Sequence, residues 1–257
     1  MNFGKYIAHR GLHGEYPENS LGAFSYAVEK NFAIELDVRL TKDCKMVVFH
    51  DKDLMRVCGV DVNVSDFTYE QLSLFKLGES NEKIPLLADV LKLVDGKVPL
   101  LIEIKNGSPF WVLEKRLARM LKKYKGEYVV ESFNPFSLFY FRIFSPSIER
   151  GQLISTYKNK LDFEYIARKI CAVPLVWKLF SQPNFVAGDL RSVSMETLFA
   201  VLDSGADYVT WTAKNDELIE TAKQFSKTVI FENYANMSHD FSDNWEDYDE
   251  SNTAENI

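Results

Sequence analysis

Cysteine is scarce in this chain of 257 residues: Cys44, Cys58 and Cys171 are odd in number, widely spaced and without the close Cys or Cys/His pairs of zinc and redox motifs. That excludes a disulfide framework and a structural zinc module, and the thiols read as the reduced cysteines of a cytosolic protein. Long apolar runs are missing too. No stretch approaches the roughly 18 consecutive apolar residues of a spanning helix, and no basic segment followed by an apolar one precedes the first strand-like run, so a cytoplasmic location is expected. Nor is there an excess of positive charge. The formal charge is -7, and the last twenty residues, "SHDFSDNWEDYDESNTAENI", hold seven acids with no Lys or Arg. The remainder balances 30 acids against 30 bases, which is not the surface of a polyanion binder, so no nucleic-acid partner is expected. Histidine is limited to His9, His13, His50 and His239.

What is present is apolar: 46% of residues are hydrophobic and 14% aromatic, enough for one sizeable globular domain or two small ones. Short apolar runs at about 5–9, 32–38, 99–105, 127–132, 149–154, 183–188, 207–212 and 227–232 read as strands. Helical spacing fills most gaps, as in "LGAFSYAVEK" and "WVLEKRLARMLKKY", and helices between strands imply parallel neighbours. Eight β/α units in a chain of this length predict a TIM (β/α)8 barrel. After the second strand, "LTKDCKM" reads as a turn into "VVFHD", and residues 40 to about 84 as a small insertion. The expected organisation is a barrel domain over 1–237 and an acidic tail over 238–257, fraying or lying on the surface, with a docked helix over "NWEDYDE" as the alternative.

Several strand-like runs carry charges that a plain core strand would not. In "IELDV" alternate side chains share a face, so Glu35 and Asp37 point one way and Ile34, Leu36 and Val38 the other; in "LLIEIK" the same parity joins Glu103 to Lys105. In a barrel the apolar set faces the helices and the charged set turns inward. An unpaired ionised carboxylate there costs several kcal/mol, so three converging must be protonated, paired or bound to a cation. Oxygen ligands favour Mg²⁺ or Ca²⁺ over zinc. Buried salt bridges to Arg10, Arg39 and Lys105 are the alternative.

His9 ends "YIAH" and His50 ends "MVVFH". Singly, each reads as a core histidine; beside a carboxylate cluster, two imidazoles can serve opposite ends of one bond. Arg10 and Lys105 suit phosphate oxygens, as a fork and as a compact charge. Gly11 suits a close approach or a positive φ. His13 and His239 are expected at the surface, and Asn19 as a helix cap. In "SFNPFSLFYFRIF", Phe136, Phe139, Tyr140, Ile143 and Phe144 follow core spacing, which leaves Phe133, Phe141 and, further on, Trp177 to meet an acyl chain. Trp211 is expected to face inward as a pocket wall.

The ordered series "HRG", "PENS", "IELDV", "TKD", "VVFHD", "IPLLADVL" and "IEIK" resembles the glycerophosphodiester phosphodiesterase family, closely over residues 6 to about 105 and more weakly at "ESF" and "WT". The resemblance implies a TIM barrel that hydrolyses glycerophosphodiesters to glycerol 3-phosphate and an alcohol. It implies a divalent metal on Glu35, Asp37 and Glu103, His9 and His50 as general acid and base, and Arg10 and Lys105 on the phosphate; Phe133 and Trp211 are the pocket candidates read from the residues themselves. Cys44 replaces the glycine usual after "TKD", "WTAKN" replaces "WTVN", and "VIFEN" stands for an Ile-Thr-Asp ending. One alternative is a lysophospholipase D, the only reading that calls for membrane contact. Another is an idle barrel that binds a phosphorylated metabolite, which the retained histidines and carboxylates argue against.

Overall fold

The computed structural model describes residues 3–105, 109–155 and 173–245. In chain order the strands begin with β1 (Tyr6–Ala8), β2 (Ala33–Leu40), β3 (Met46–Val48), β4 (Asp53–Leu54) and β5 (Val60–Asn63). They continue with β6 (Leu100–Ile104), β7 (Tyr128–Ser132), β8 (Arg150–Ile154), β9 (Phe185–Asp189), β10 (Asp207–Ala213) and β11 (Thr228–Phe231). All strands from β6 onward, with β1 and β2, form one parallel sheet, and β1 pairs with both β11 and β2, so it closes into a barrel. Each barrel strand falls on one of the eight apolar runs. The short helices Leu21–Glu29 and Val112–Leu121 occupy two of the helical patterns. Ser20 caps the first by accepting a hydrogen bond from the Ala23 amide.

Strand parity builds two cores. Tyr6, Ile34, Leu36, Ile102, Val130 and Phe231 face outward and meet the helices. Ile7, Ala33, Leu101, Val129, Val209 and Ile230 face inward and fill the floor of the barrel with Phe185. The floor is tight: a Cβ on Gly151 would stand 2.0 Å from the Phe185 ring. Above that layer the inward positions become polar, and the chemistry-bearing residues stand there.

The insertion begins as a hairpin, with β3 antiparallel to β2 (Val38↔Val48), and continues through the β4–β5 ribbon. Val47, Phe49, Leu54, Val64, Leu72 and Ile84 give it a small core of its own. Its first turn explains the missing glycine, because Cys44 sits at φ +58°, the left-handed region in which a side chain costs about 1–2 kcal/mol. Cys44→Gly is therefore expected to stabilise the fold by up to about 1 kcal/mol after the added chain entropy, a rise of a few degrees in Tm by calorimetry.

Three expectations are corrected. On the helix Pro135–Phe144, Leu138 and Phe141 face the barrel, while Phe136, Ile143 and Phe144 are exposed, so the core stripe lies on the other side. Phe141 and Trp177 are fully buried and cannot meet an acyl chain from solvent. The described part of the tail docks rather than frays. Phe241 packs on Tyr6, Phe32 and Phe231, and Asn244 accepts a hydrogen bond from the Tyr6 amide at 2.9 Å and, through its carbonyl, from Lys5. The Lys5–Asp243 ion pair at 2.9 Å and a hydrogen bond from the Trp245 indole to the Asn31 carbonyl at 2.7 Å also hold the segment. Cys44 and Cys58 are free thiols, and Cys171 lies outside the described residues. Among the described residues, no helix is long and apolar enough to cross a membrane.

Candidate active site

Glu35 and Asp37 come from β2 and Glu103 from β6, with Asp37 directly opposite Glu103 in the strand register. One carboxylate oxygen from each lies within 4.8 Å of the others, and all three groups are buried. The expected salt bridges also form. Lys105 Nζ donates to Glu103 Oε2 at 2.6 Å and lies 2.9 Å from Asp37 Oδ1, and Arg10 Nε lies 3.4 Å from Asp37 Oδ2. Arg39 instead turns its guanidinium to the His50 carbonyl.

Two cations do not satisfy three acids. Asp37 Oδ1 has no hydrogen bond despite the nearby lysine. Burial, then Asp37 and Glu103, push the Glu35 carboxyl well above the usual range; burial likewise raises Glu103, against the pull of Lys105. Burial opposes ionisation of Asp37, but Lys105, His50 and Arg10 outweigh it and hold that group well below its ordinary value. Crowded, partly unsatisfied oxygen donors at this spacing fit a hard divalent cation.

His9 leaves the end of β1 with Nδ1 2.9 Å from Glu232 Oε2 and Nε2 4.0 Å from Glu35 Oε2, so one nitrogen is anchored and the other faces the carboxylates. Burial, with Arg10 adding, lowers its pKa to about 4 against the opposing effect of Glu232. His50 Nδ1 is held by Asp51 at 2.6 Å. Neither carboxylate partner emerged from the sequence. Asp51 stands beside His50 in "VVFHD", and Glu232 occupies the acidic slot of "VIFEN", so position alone was the available signal. His13 is no surface residue: its Nε2 lies 3.8 Å from Glu232, whose other oxygen takes Lys214 at 2.5 Å. His9, His13 and Glu232 also meet within 4.8 Å, but with Lys214 on that carboxylate the set reads as an orienting cluster. His239 is likewise half-buried, bonded to the Tyr6 hydroxyl at 2.8 Å. Asn19 does not cap the first helix; it donates to Asp37 Oδ2 at 2.7 Å.

The loop after β1 holds its shape by unusual backbone. Arg10 at φ 57° turns its amide onto Glu35 Oε2 at 2.8 Å, and at Gly11 a Cβ would meet Ala23 at 2.9 Å. A network ties this loop to the insertion. Glu18 takes Arg10 at 2.9 Å and two bonds from Arg56 at 2.6 and 2.8 Å, while Arg56 Nε reaches Asp51 at 2.5 Å. Arg56 thus holds the partner of His50 and the partner of Arg10 together. Its half-exposed pairs contribute little to stability. Arg56→Ala is therefore expected to leave the melting temperature nearly unchanged and lower kcat about tenfold through misplacement of His50. Lysine, which has no fork, should restore only part of that loss in steady-state kinetics.

The mouth is a cavity of about 330 Å³ that brings together His9, Arg10, Glu35, His50, Glu103 and Lys105 with Phe133 and Trp211. The last two meet edge to face at 5.9 Å, and the indole donates to the Ala187 carbonyl at 3.0 Å. Asp189, bonded to Ser155 and paired with Arg191, forms the far rim. Glu131 also lines the cavity; it is buried, and burial together with Glu103 pushes its carboxyl well above the usual range.

A closed parallel barrel with its polar residues gathered at the C-terminal ends of the strands defines a TIM-barrel enzyme. Comparison with known proteins gives the particular family. The family model described as "Glycerophosphoryl diester phosphodiesterase family" matches residues 9–237, and the chain belongs to that family. It is 41% identical over 222 residues to YhdW of Bacillus subtilis, which bears the family's name, covering 82% of this chain and 86% of that protein. A second relative, human Lysophospholipase D GDPD1, is 38% identical over 138 residues, 49% of this chain and 43% of that protein. Among solved structures, an Oleispira antarctica phosphodiesterase in complex with the product sn-glycerol-3-phosphate superposes with a TM-score of 0.72 at 22% identity, covering 89% of this chain and 93% of that one.

Proposed function

We propose that this protein hydrolyses glycerophosphodiesters to glycerol 3-phosphate and an alcohol, with Glu35, Asp37 and Glu103 holding Mg²⁺ or Ca²⁺. The observation that carries this reading is a cluster of three buried carboxylates, two of which, Glu35 and Glu103, line the same cavity as two separately anchored histidines. A phosphodiester monoanion repels nucleophiles, so its charge must be neutralised and its geometry fixed. The cation, when bound, supplies part of that neutralisation. Arg10 and Lys105 supply the rest from opposite sides of Asp37. His9 is neutral at pH 7 with Nε2 toward the carboxylates, which suits it to take a proton from the attacking water as its oxygen bonds to phosphorus. His50, held through Nδ1 by Asp51, is then the group that protonates the departing alkoxide. Each positioned group is worth roughly 10²- to 10⁴-fold.

Phe133 and Trp211 form the apolar wall against which the alcohol departs. That pair also favours a second reading, a lysophospholipase D whose acyl chain lies on the same wall. Incubation of the purified protein with sn-glycero-3-phosphocholine and with lysophosphatidylcholine, each with Mg²⁺, Ca²⁺ or chelator, separates the two. Release of glycerol 3-phosphate from the first substrate, abolished by chelation, is the expected result. Turnover of the lysolipid alone would select the second reading, and turnover indifferent to chelation would refute the metal assignment.

A further inference from the structure

Glu131 has no role in the chemistry described above, yet it is among the most costly residues in the cavity wall. It points inward from β7 between Val129 in the floor and Phe133 at the mouth, is 1% exposed, and lines the cavity. Its Oε2 is buried without a hydrogen-bond partner. Its register neighbours are Glu103 on β6, whose carboxyl is paired with Lys105, and Gly151 on β8, which has no side chain. A buried carboxyl oxygen left without a donor is retained at a cost that a ligand's polar group can offset. The cation is not that ligand, because Glu131 stands outside the set of carboxylates whose oxygens lie within 4.8 Å of one another.

We propose that Glu131 receives a hydroxyl of the substrate's glycerol moiety and so selects glycerol esters over other phosphodiesters. This deepens the proposed function and rests on it. With phosphate held by Arg10 after β1 and Lys105 after β6, Glu131 on β7 lies one strand beyond Lys105, a step of about 4.8 Å. The glycerol 2-hydroxyl is two carbons from the ester oxygen on phosphorus, and its hydrogen bond extends that reach across such a step. Depth distinguishes the two ends of the substrate. Glu131 lies beneath Phe133, whereas Arg191 and Lys214 at the rim have side chains 54% and 60% exposed. The constant glycerol end belongs in the enclosed part and the variable alcohol at the open one. A site built to hydrogen-bond a hydroxyl discriminates strongly against ligands that lack it.

The test compares wild type, Glu131→Gln and Glu131→Leu on sn-glycero-3-phosphocholine and on bis(4-nitrophenyl) phosphate, which has no glycerol. Calorimetric binding of sn-glycerol 3-phosphate, inorganic phosphate and the divalent cation accompanies the kinetics. The leucine variant is expected to lose about 10- to 100-fold in kcat/KM on the glycerol ester and in affinity for sn-glycerol 3-phosphate. Glutamine recovers most of that loss, and nitrophenyl ester turnover, phosphate affinity and cation affinity stay level. Equal losses on both esters, a loss of cation affinity, or unchanged glycerol selectivity would each overturn the assignment. Should the wild type turn over neither ester, the proposed function fails by itself, and the contrast between sn-glycerol 3-phosphate and phosphate binding still decides the role of Glu131.

Discussion

Asp37→Asn is expected to abolish measurable turnover, a fall of roughly 10³-fold or more, and chelation of the wild type should do the same. Asp37 meets three polar side chains of the site. It takes Asn19 at 2.7 Å, stands 2.9 Å from Lys105 and 3.4 Å from Arg10, and is fully buried. Its loss removes one of the three proposed cation ligands and the carboxylate that pairs with both Arg10 and Lys105. Asparagine is preferred to alanine because breaking a buried charge cluster with a small apolar residue costs about 3–5 kcal/mol and would confuse inactivity with unfolding. Circular dichroism should show the variant folded. Restoration of activity to the wild type by added Mg²⁺ or Ca²⁺ after chelation completes the test, and a chelated enzyme at full rate would contradict it.

His9→Ala and His50→Ala should each lower kcat by roughly 10²- to 10⁴-fold with less effect on KM, since a proton in flight stabilises the transition state more than the bound substrate. Glu232→Gln should fall between wild type and His9→Ala, because it leaves the imidazole in place but loosens its anchor. The pH dependence has a defined sign. The folded-state value for His9 is depressed to about 4 by burial, below the ordinary 6.5. As pH falls from 6.5 through 4, the unfolded chain takes up its proton first, and stability present at neutral pH is progressively lost. His9→Asn should flatten that part of the stability curve in denaturant titrations across pH. A slope unchanged by the substitution would show that His9 titrates normally.

The barrel was legible because inward and outward faces alternate strictly along a strand, so eight apolar runs and the parity of Glu35, Asp37 and Glu103 could be read directly. The helix Pro135–Phe144 defeated the same reasoning. Nearly every position in it is apolar, so spacing favoured the aromatic face of Phe136, Tyr140 and Phe144, whereas the barrel took the one holding Leu138 and Phe141. The orienting residues were harder still. Glu232 and His9 are joined only by closure of the sheet, and Arg56 reaches Glu18 from an insertion with little regular periodicity. Cys44, noted as an oddity of sequence, became intelligible once its backbone angle was known.

His9 and Glu232 are 223 positions apart, and β1 draws one of its two ladders from β11. A nascent chain emerging from the ribosome must therefore hold its first strand with one flank open until almost all of the polypeptide has been made. The contact between His9 and Glu232 is among the last that can form, so with His9 in its proposed role turnover doubles as a sensor of ring completion, and a species lacking the final seam is expected to stay silent in an activity assay.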